Sequence, residues 1–309
     1  MTEGRADAFR RTLDAAAQEI EDGPADGWAS WLLGELNEFC CRDATDWPAL
    51  YRTIARAHPL WRFTTSDPYT RHSLAKPRGY PGDAELLDYL YGLHSVGEDT
   101  PAFGRRLHAQ FMDSPGSRAI RGRLAYARAL ALETLGLKPP GDVLCVGCGH
   151  LRELMNMGPG TLGSGRFIAL DQDAEAIRVA GSLPEAHQVE LVTAPITALV
   201  RSATSFGTFR LIYGLGVLDY VADLGAISLI RALLRRLTAG GKLSLANFTP
   251  ATLERGYMEV FMEWVLIYRT EVELLNLVRA AAKPVGDFSL TSWTDPTASI
   301  AYCEATARF

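Results

Sequence analysis

Gly147-Cys148-Gly149 stands directly after the apolar run Val143-Leu144-Cys145-Val146, and Asp171 closes the next apolar run, Phe167-Ile168-Ala169-Leu170. Glycine at 147 and 149 opens backbone dihedrals closed to other residues and leaves no side chain between backbone and ligand. The pattern predicts a buried strand, a tight turn and then a helix from about Arg152, whose free N–H groups point back at the turn. Together these make a nucleotide-sized cradle at the carboxyl edge of a parallel sheet. A carboxylate about twenty residues beyond such a turn can accept hydrogen bonds from both ribose hydroxyls, and Asp171 meets that spacing. The plainer readings of the same residues are an ordinary βα turn and a helix N-cap.

Two other groupings carry chemistry. Cys145 and Cys148 stand at C-x-x-C spacing, which raises redox or zinc chemistry. Cys145 is expected inside the strand, Cys148 falls between glycines, and no second cysteine or histidine pair lies nearby, so no metal is expected. The stretch from Arg71 to Asp83 holds His72, Lys76, Arg78 and Tyr80 among two prolines and two glycines. Loops of this composition often hold functional groups. The alternative is a surface connection whose Pro and Gly only set turns.

The elements that must position these groups fall into two blocks. Residues 1 to about 60 read as helices, with Phe9, Leu13, Ala16, Ala17 and Ile20 at helical spacing. Further helices are expected at about 85–91, 101–112 and 116–135. From Gly141 strands and helices alternate, which implies a parallel sheet. Its strands are expected at 143–146, 166–170, 189–192, 209–213 and 242–247, with helices at 174–180 and 227–237, the latter closed by Gly240-Gly241. A strongly apolar helix is expected from about Leu253 to Tyr268, then two strands at about 287–292 and 299–307 forming an antiparallel edge. The expected division is therefore 1–138, helical, and 139–309, sheet.

Composition bounds the function. The chain has 309 residues, 48% of them apolar and 22% charged, with a net charge of -5 and no basic block. That argues against a nucleic-acid partner, whose phosphates require clustered Lys and Arg. No run of about 18 apolar residues suggests a membrane span. An N-terminus without an apolar signal core, and five scattered cysteines, point to the reducing cytoplasm.

The order of elements from 141 to 309 resembles the class I S-adenosylmethionine-dependent methyltransferases. Three motifs carry the likeness: the glycine turn Val146 to Leu151, the acid Asp171 closing strand two, and Gly240-Gly241 before strand five. Lys76-Pro77-Arg78-Gly79-Tyr80-Pro81-Gly82-Asp83 and Met262 to Arg269 further resemble a bacterial subgroup with a helical N-terminal cap, associated with methyl esters of hydroxylated fatty acids and diverse in chemistry. The resemblance implies an α/β fold: a Rossmann-like seven-stranded, mostly parallel sheet with an antiparallel last strand, preceded by a helical cap. It implies a cofactor held at Val146, Gly147, Cys148, Gly149, Asp171 and Gln172, and at Ile196, Gly214, Leu215 and Asp219. Arg78, Tyr80, Tyr213 and Trp264 are expected to close over the sulfonium and substrate, with Tyr220 a further aromatic candidate. His72 or Asp219 would serve as base, and Arg78 or Arg269 as a carboxylate clamp. Two positions depart from the family pattern: Cys145 replaces the first motif's acid, and His150 its third glycine.

Two reactions fit this reading. One is in-line methyl transfer to a small-molecule acceptor. The other is cyclisation of S-adenosylmethionine itself, its amine attacking the γ-carbon to give azetidine-2-carboxylate and methylthioadenosine. The missing acid at 145 favours the second, because a nearby carboxylate would keep that amine protonated. A non-catalytic binding protein is the third alternative. A nicotinamide cofactor fits less well, since Arg152 stands where that fingerprint wants a third glycine. The expected partners are a small molecule, no nucleic acid and no membrane, and a homodimer is left open.

Overall fold

The computed structural model describes residues 3–21, 27–42, 47, 49–158, 160–163, 165–201 and 206–309. The chain divides into two compact units: Met1–Arg118 with Ala251–Val265, and Ala119–Pro250 with Leu266–Phe309. The first boundary thus falls twenty residues earlier than 138, and a short segment of the C-terminal half joins the helical unit.

The first unit contains helices α1 (Glu3–Glu21), α2 (Trp28–Arg42), α3 (Ala49–Ala57), α4 (Leu60–Thr64), α5 (Pro68–Ala75), α6 (Ala84–Leu90) and α7 (Ala102–Met112). Helix α1 buries Phe9, Leu13 and Ala16, the residues its spacing puts on one face. Phe9 meets Tyr51 edge-on at 4.6 Å between ring centroids. Asp67 caps α5 by accepting from the Tyr69 and Thr70 N–H groups, and Pro68 suits the first helical turn.

Helix α8 (Pro115–Leu135) starts in the first unit and runs into the second. The sheet follows: β1 (Val143–Val146), β2 (Phe167–Asp171), α9 (Ala174–Ala180), β3 (Val189–Thr193), α10 (Thr197–Arg201), β4 (Phe209–Gly214), α11 (Asp223–Leu234) and β5 (Leu237–Phe248). After it come α12 (Arg255–Phe261) in the first unit, then α13 (Glu271–Ala282), β6 (Phe288–Thr294) and β7 (Ile300–Ala307). The strand order is β3-β2-β1-β4-β5-β7-β6, and β7 runs antiparallel to both its neighbours. This is the Rossmann-like, mostly parallel architecture that the resemblance implied, with the parallel sheet and antiparallel edge that the residues themselves suggested. Every residue of β1 and β2 is buried, as strands covered on both faces must be.

Four local expectations are corrected. The apolar helix foreseen over 253–268 ends at Phe261. Glu263 takes a left-handed φ of 52°, and the Trp264 N–H turns back to the Met258 carbonyl at 2.8 Å. Lys76, 2.7 Å from Glu263, and Arg56 pair with its carboxylate and hold that strained residue in place. Gly240-Gly241 lies inside β5 rather than before it, where the β4–β5 register shifts and Gly240 adopts a φ of 65°. Helix α11 begins and ends about one turn earlier than the spacing suggested. Helix α13 was not foreseen, although Thr270 and Glu273 form a capping box and Leu274, Leu277, Val278 and Ala281 make its buried stripe.

Gly256 brings α12 against the backbone of α2, since a Cβ there would lie 2.4 Å from the Leu36 carbonyl oxygen. Gly256→Ala is therefore expected to destabilise the protein by about 1–3 kcal/mol. Gly122→Ala, on the exposed side of α8 with no atom within 4 Å, is expected to stabilise by about 0.5–1 kcal/mol. Thermal and urea unfolding of the full chain checks both signs.

Candidate functional site

The turn after β1 is tied down by consecutive backbone donors. The Gly147 and Cys148 N–H groups both donate to the Leu170 carbonyl, at 2.8 and 3.1 Å. The Gly149 N–H donates to Asp171 Oδ2 at 2.8 Å, and Asp171 Oδ1 accepts from the Asp173 N–H at 3.0 Å. Gly147 and Gly149 take φ values of 69° and 53°, in the left-handed region where a side chain is strained. The expected N-cap role belongs to Asp173, which accepts from the Glu175 N–H, so Asp171 serves the turn.

The helix expected from Arg152 is a single 3-10 turn, Arg152–Leu154, entered through Leu151 in a left-handed conformation. Among the described residues no α-helix follows before α9. The arrangement therefore lacks the helix N-terminus that holds a phosphate in dinucleotide sites. It suits a nucleoside ligand recognised through its ribose rather than through a pyrophosphate.

That short turn delivers a carboxylate the sequence reading missed. Glu153 is buried, and its Oε1 accepts from the Tyr213 hydroxyl at 2.6 Å and faces the Cys145 thiol at 3.6 Å. Tyr213 and Cys145 are register partners on β4 and β1, which places both donors under the turn. Burial pushes both hydroxyl and thiol well up, so they remain neutral donors. Burial also raises Glu153, with its hydrogen bonds acting in the opposite direction. Cys145 thus packs against a buried acid supplied from position 153.

At the end of β4, Gly214 approaches β1 closely, since a Cβ would sit 3.4 Å from the Val146 carbonyl oxygen. The following turn holds Leu215 and Asp219, both buried, whereas Tyr220 is exposed. Asp219 Oδ1 accepts from the Phe248 N–H at 2.8 Å, and Oδ2 lies 4.0 Å from Arg123. Arg269, foreseen as a clamp, is instead consumed by structure: it donates to the Leu218 and Val221 carbonyls, Asn247 and Asp223. Val146 belongs to the core, Ile196 packs beside it, and Gln172 is exposed at the end of β2.

The remaining expected residues lie in the first unit. His72 bonds to the buried carboxylate of Asp83 at 2.9 Å, which itself caps α6. Arg78 sits 3.6 Å from Glu85, Tyr80 is half-buried, and Trp264 is buried beyond the end of α12. Tyr213 is enclosed, its hydroxyl turned to Glu153. The structure thus joins Gly147, Cys148, Gly149 and Asp171 directly, and Tyr213 to position 153. No cluster of three metal-ligating side chains occurs among the described residues, and Cys145 and Cys148 are free thiols. No described helix is long and apolar enough to cross a membrane.

No protein family matches the chain, and no curated protein does. Among solved structures, a possible exported protein from Bordetella parapertussis is similar over 100% of both chains, at 18% identity and a TM-score of 0.61. This shows that the fold recurs along the entire length of another protein. Weaker likenesses include magnesium protoporphyrin IX methyltransferase from Synechocystis PCC 6803 with bound S-adenosylhomocysteine, at 14% identity over 71% of this chain and 91% of that one, TM-score 0.47. The N-methyltransferase NodS from Bradyrhizobium japonicum WM9, in complex with the same product, is 15% identical over 73% of this chain and 98% of its own, TM-score 0.44.

Asp219 supplies a pH test of the site. Burial outweighs the attraction of Arg123 and Arg269 and pushes its carboxyl from 3.8 up to about 7. The folded state then holds this proton more tightly than the unfolded chain, so stability is lost as pH rises from about 4 to about 7. Asp219→Asn keeps an acceptor for the Phe248 N–H and removes the titration. Urea unfolding across that range is expected to show a loss in the wild type, at most about 1.4 kcal/mol per pH unit, that the variant lacks. Parallel pH profiles would remove Asp219 as the titrating group.

Proposed function

We propose that the second unit binds S-adenosylmethionine and that the protein transfers its methyl group to a small-molecule acceptor. The observation that carries this reading is the glycine turn pinned to the Asp171 carboxylate beside β1, at the carboxyl edge where the sheet's order reverses. A carboxylate offers about four acceptor positions. Two are used by backbone N–H groups, which leaves capacity for two ribose hydroxyls.

The other residues fit the same ligand. Glu153 faces no cationic side chain among the described residues, and a ligand ammonium would offset its burial. We assign it the α-amino group. Leu215 and Ile196 are apolar side chains beside the core that holds Val146, and we place them against the ligand. When bound, S-adenosylmethionine supplies an electrophilic methyl on a sulfonium. The chain's own contribution to a displacement of this kind is orientation and exclusion of water. Arg78 and Tyr80 stay our candidates for acceptor recognition, and a carboxylate or hydroxyl acceptor in the cytoplasm our reading of its class. The cyclisation alternative drew on an acid missing at 145; with Glu153 assigned to the α-amino group an acid stands there, which is why we favour methyl transfer and let product analysis decide between the two.

Binding and product analysis test the reading. Asp171→Ala is expected to weaken S-adenosylhomocysteine binding by roughly 1–3 kcal/mol in calorimetry. Glu153→Gln is expected to weaken it about tenfold or more, and adding Cys145→Asp to restore part of the loss. Incubated with S-adenosylmethionine alone, the enzyme is expected to release no methylthioadenosine; its release without an acceptor would establish cyclisation instead.

A further inference from the structure

Arg123 occupies a position that helix packing reserves for an apolar side chain. On α8 the buried residues Ala119, Ile120, Ala127, Leu130 and Ala131 form one stripe, and Arg123 stands in its middle with only 8% of its surface exposed. A guanidinium placed there must be solvated by the protein or by a ligand, because burying its five donors unmet is costly.

The protein does little of that work. Among the described residues Arg123 makes no hydrogen bond. Its nearest carboxylate oxygen, Asp219 Oδ2, lies 4.0 Å away, beyond hydrogen-bond reach. The Phe248 ring centroid stands 5.8 Å from its Cζ, a cation–π contact that satisfies no donor. Arg269, bonded to the same turn after β4, is the contrast, with every neighbour a hydrogen-bond acceptor. The guanidinium lies over Gly216, where an added Cβ would meet Nη1 at 3.5 Å, an ordinary contact distance that brings no acceptor. Its nitrogens are not fully sealed from the surface, and 8% of the residue stays exposed. Asp219 does not fully neutralise it either, being only partly ionised near neutral pH.

The place is informative. Arg123 borders the turn leaving β4 and the last residue of β5, on the sheet edge that also carries the Gly147–Gly149 turn. A planar fork of N–H donors at a ligand-binding edge matches a carboxylate better than any other common anion lacking phosphorus. We propose that Arg123 is the carboxylate-recognition residue of the second unit, pairing through two N–H groups with a ligand carboxylate at this edge. The proposal rests on the reading of that unit as an S-adenosylmethionine site and adds what it recognises. The carboxylate comes from the methionine end of the cofactor or from the acceptor.

Calorimetry on the full chain separates these sources with four probes: S-adenosylhomocysteine, its decarboxylated counterpart, methylthioadenosine, and benzoate added to protein saturated with S-adenosylhomocysteine. Arg123→Gln is expected to lower affinity for the carboxylate-bearing probe about 10- to 100-fold and to leave methylthioadenosine binding unchanged. A loss for S-adenosylhomocysteine but not for its decarboxylated counterpart assigns the cofactor's carboxylate. An unchanged S-adenosylhomocysteine affinity with benzoate bound by the wild type alone assigns the acceptor's. Equal losses for every probe, methylthioadenosine included, mean a merely structural arginine and overturn the proposal, as does a variant indistinguishable from the wild type on all four. A wild type that binds neither S-adenosylhomocysteine nor methylthioadenosine fails the underlying reading and takes this one with it. Where Arg123→Gln melts below the wild type, Arg123→Lys carries the same comparison, since it keeps the charge and loses the fork.

Discussion

The hydrogen bond from the Gly149 N–H to the Asp171 carboxylate is the constraint on which the site depends. With the Gly147 and Cys148 N–H groups on the Leu170 carbonyl, three successive donors of the turn are anchored to the end of β2. Buried backbone donors must find acceptors, and here a neighbouring strand supplies them in place of a helix. The turn is consequently held open from one side. Its free face, the end of β4 and the acid at 171 are fixed relative to one another by the register of β2, β1 and β4. That register, and not the glycines by themselves, sets the geometry of the turn.

The interior of the second unit holds charged groups of two kinds. Arg269 is fully satisfied and knits the turn after β4 to the end of β5. Glu153, Asp219 and Arg123 are buried with incomplete pairing, which a fold selected for stability alone would avoid. They all approach the carboxyl edge of the sheet. An acid beneath the glycine turn and a guanidinium beside the β4 turn have the charge pattern of a zwitterionic amino acid, reversed. Burial of charges with incomplete pairing costs some stability.

Much of the second unit was readable residue by residue. Short apolar runs such as Phe167–Leu170, bounded by glycine and an acid, mark parallel strands because only buried strands tolerate them. The glycine turn and Asp171 were legible because each directly follows or closes a short buried apolar run, which is a local property. The residues after Gly149 were not, because Arg152-Glu153-Leu154 has ordinary helix propensity and yet stops after one turn. Trp264 misled for a similar reason: the apolar stretch looks helical, and a left-handed Glu263 held by Lys76 ends it through contacts distant in sequence. The capping box at Thr270 was available as a signal and its helix would have followed from it.

The sequence by itself determined the class of fold, the order of its strands along the chain and the acid that faces the glycine turn, since hydrophobic period and glycine spacing are local properties. Tertiary structure decided which charged side chains have their hydrogen bonds met by the fold and which do not. Arg269 and Arg123 are indistinguishable as letters. They differ in whether acceptors lie within hydrogen-bond reach, which for Arg269 come from the turn after β4, the start of α11 and Asn247 on β5, and that distance is set by packing.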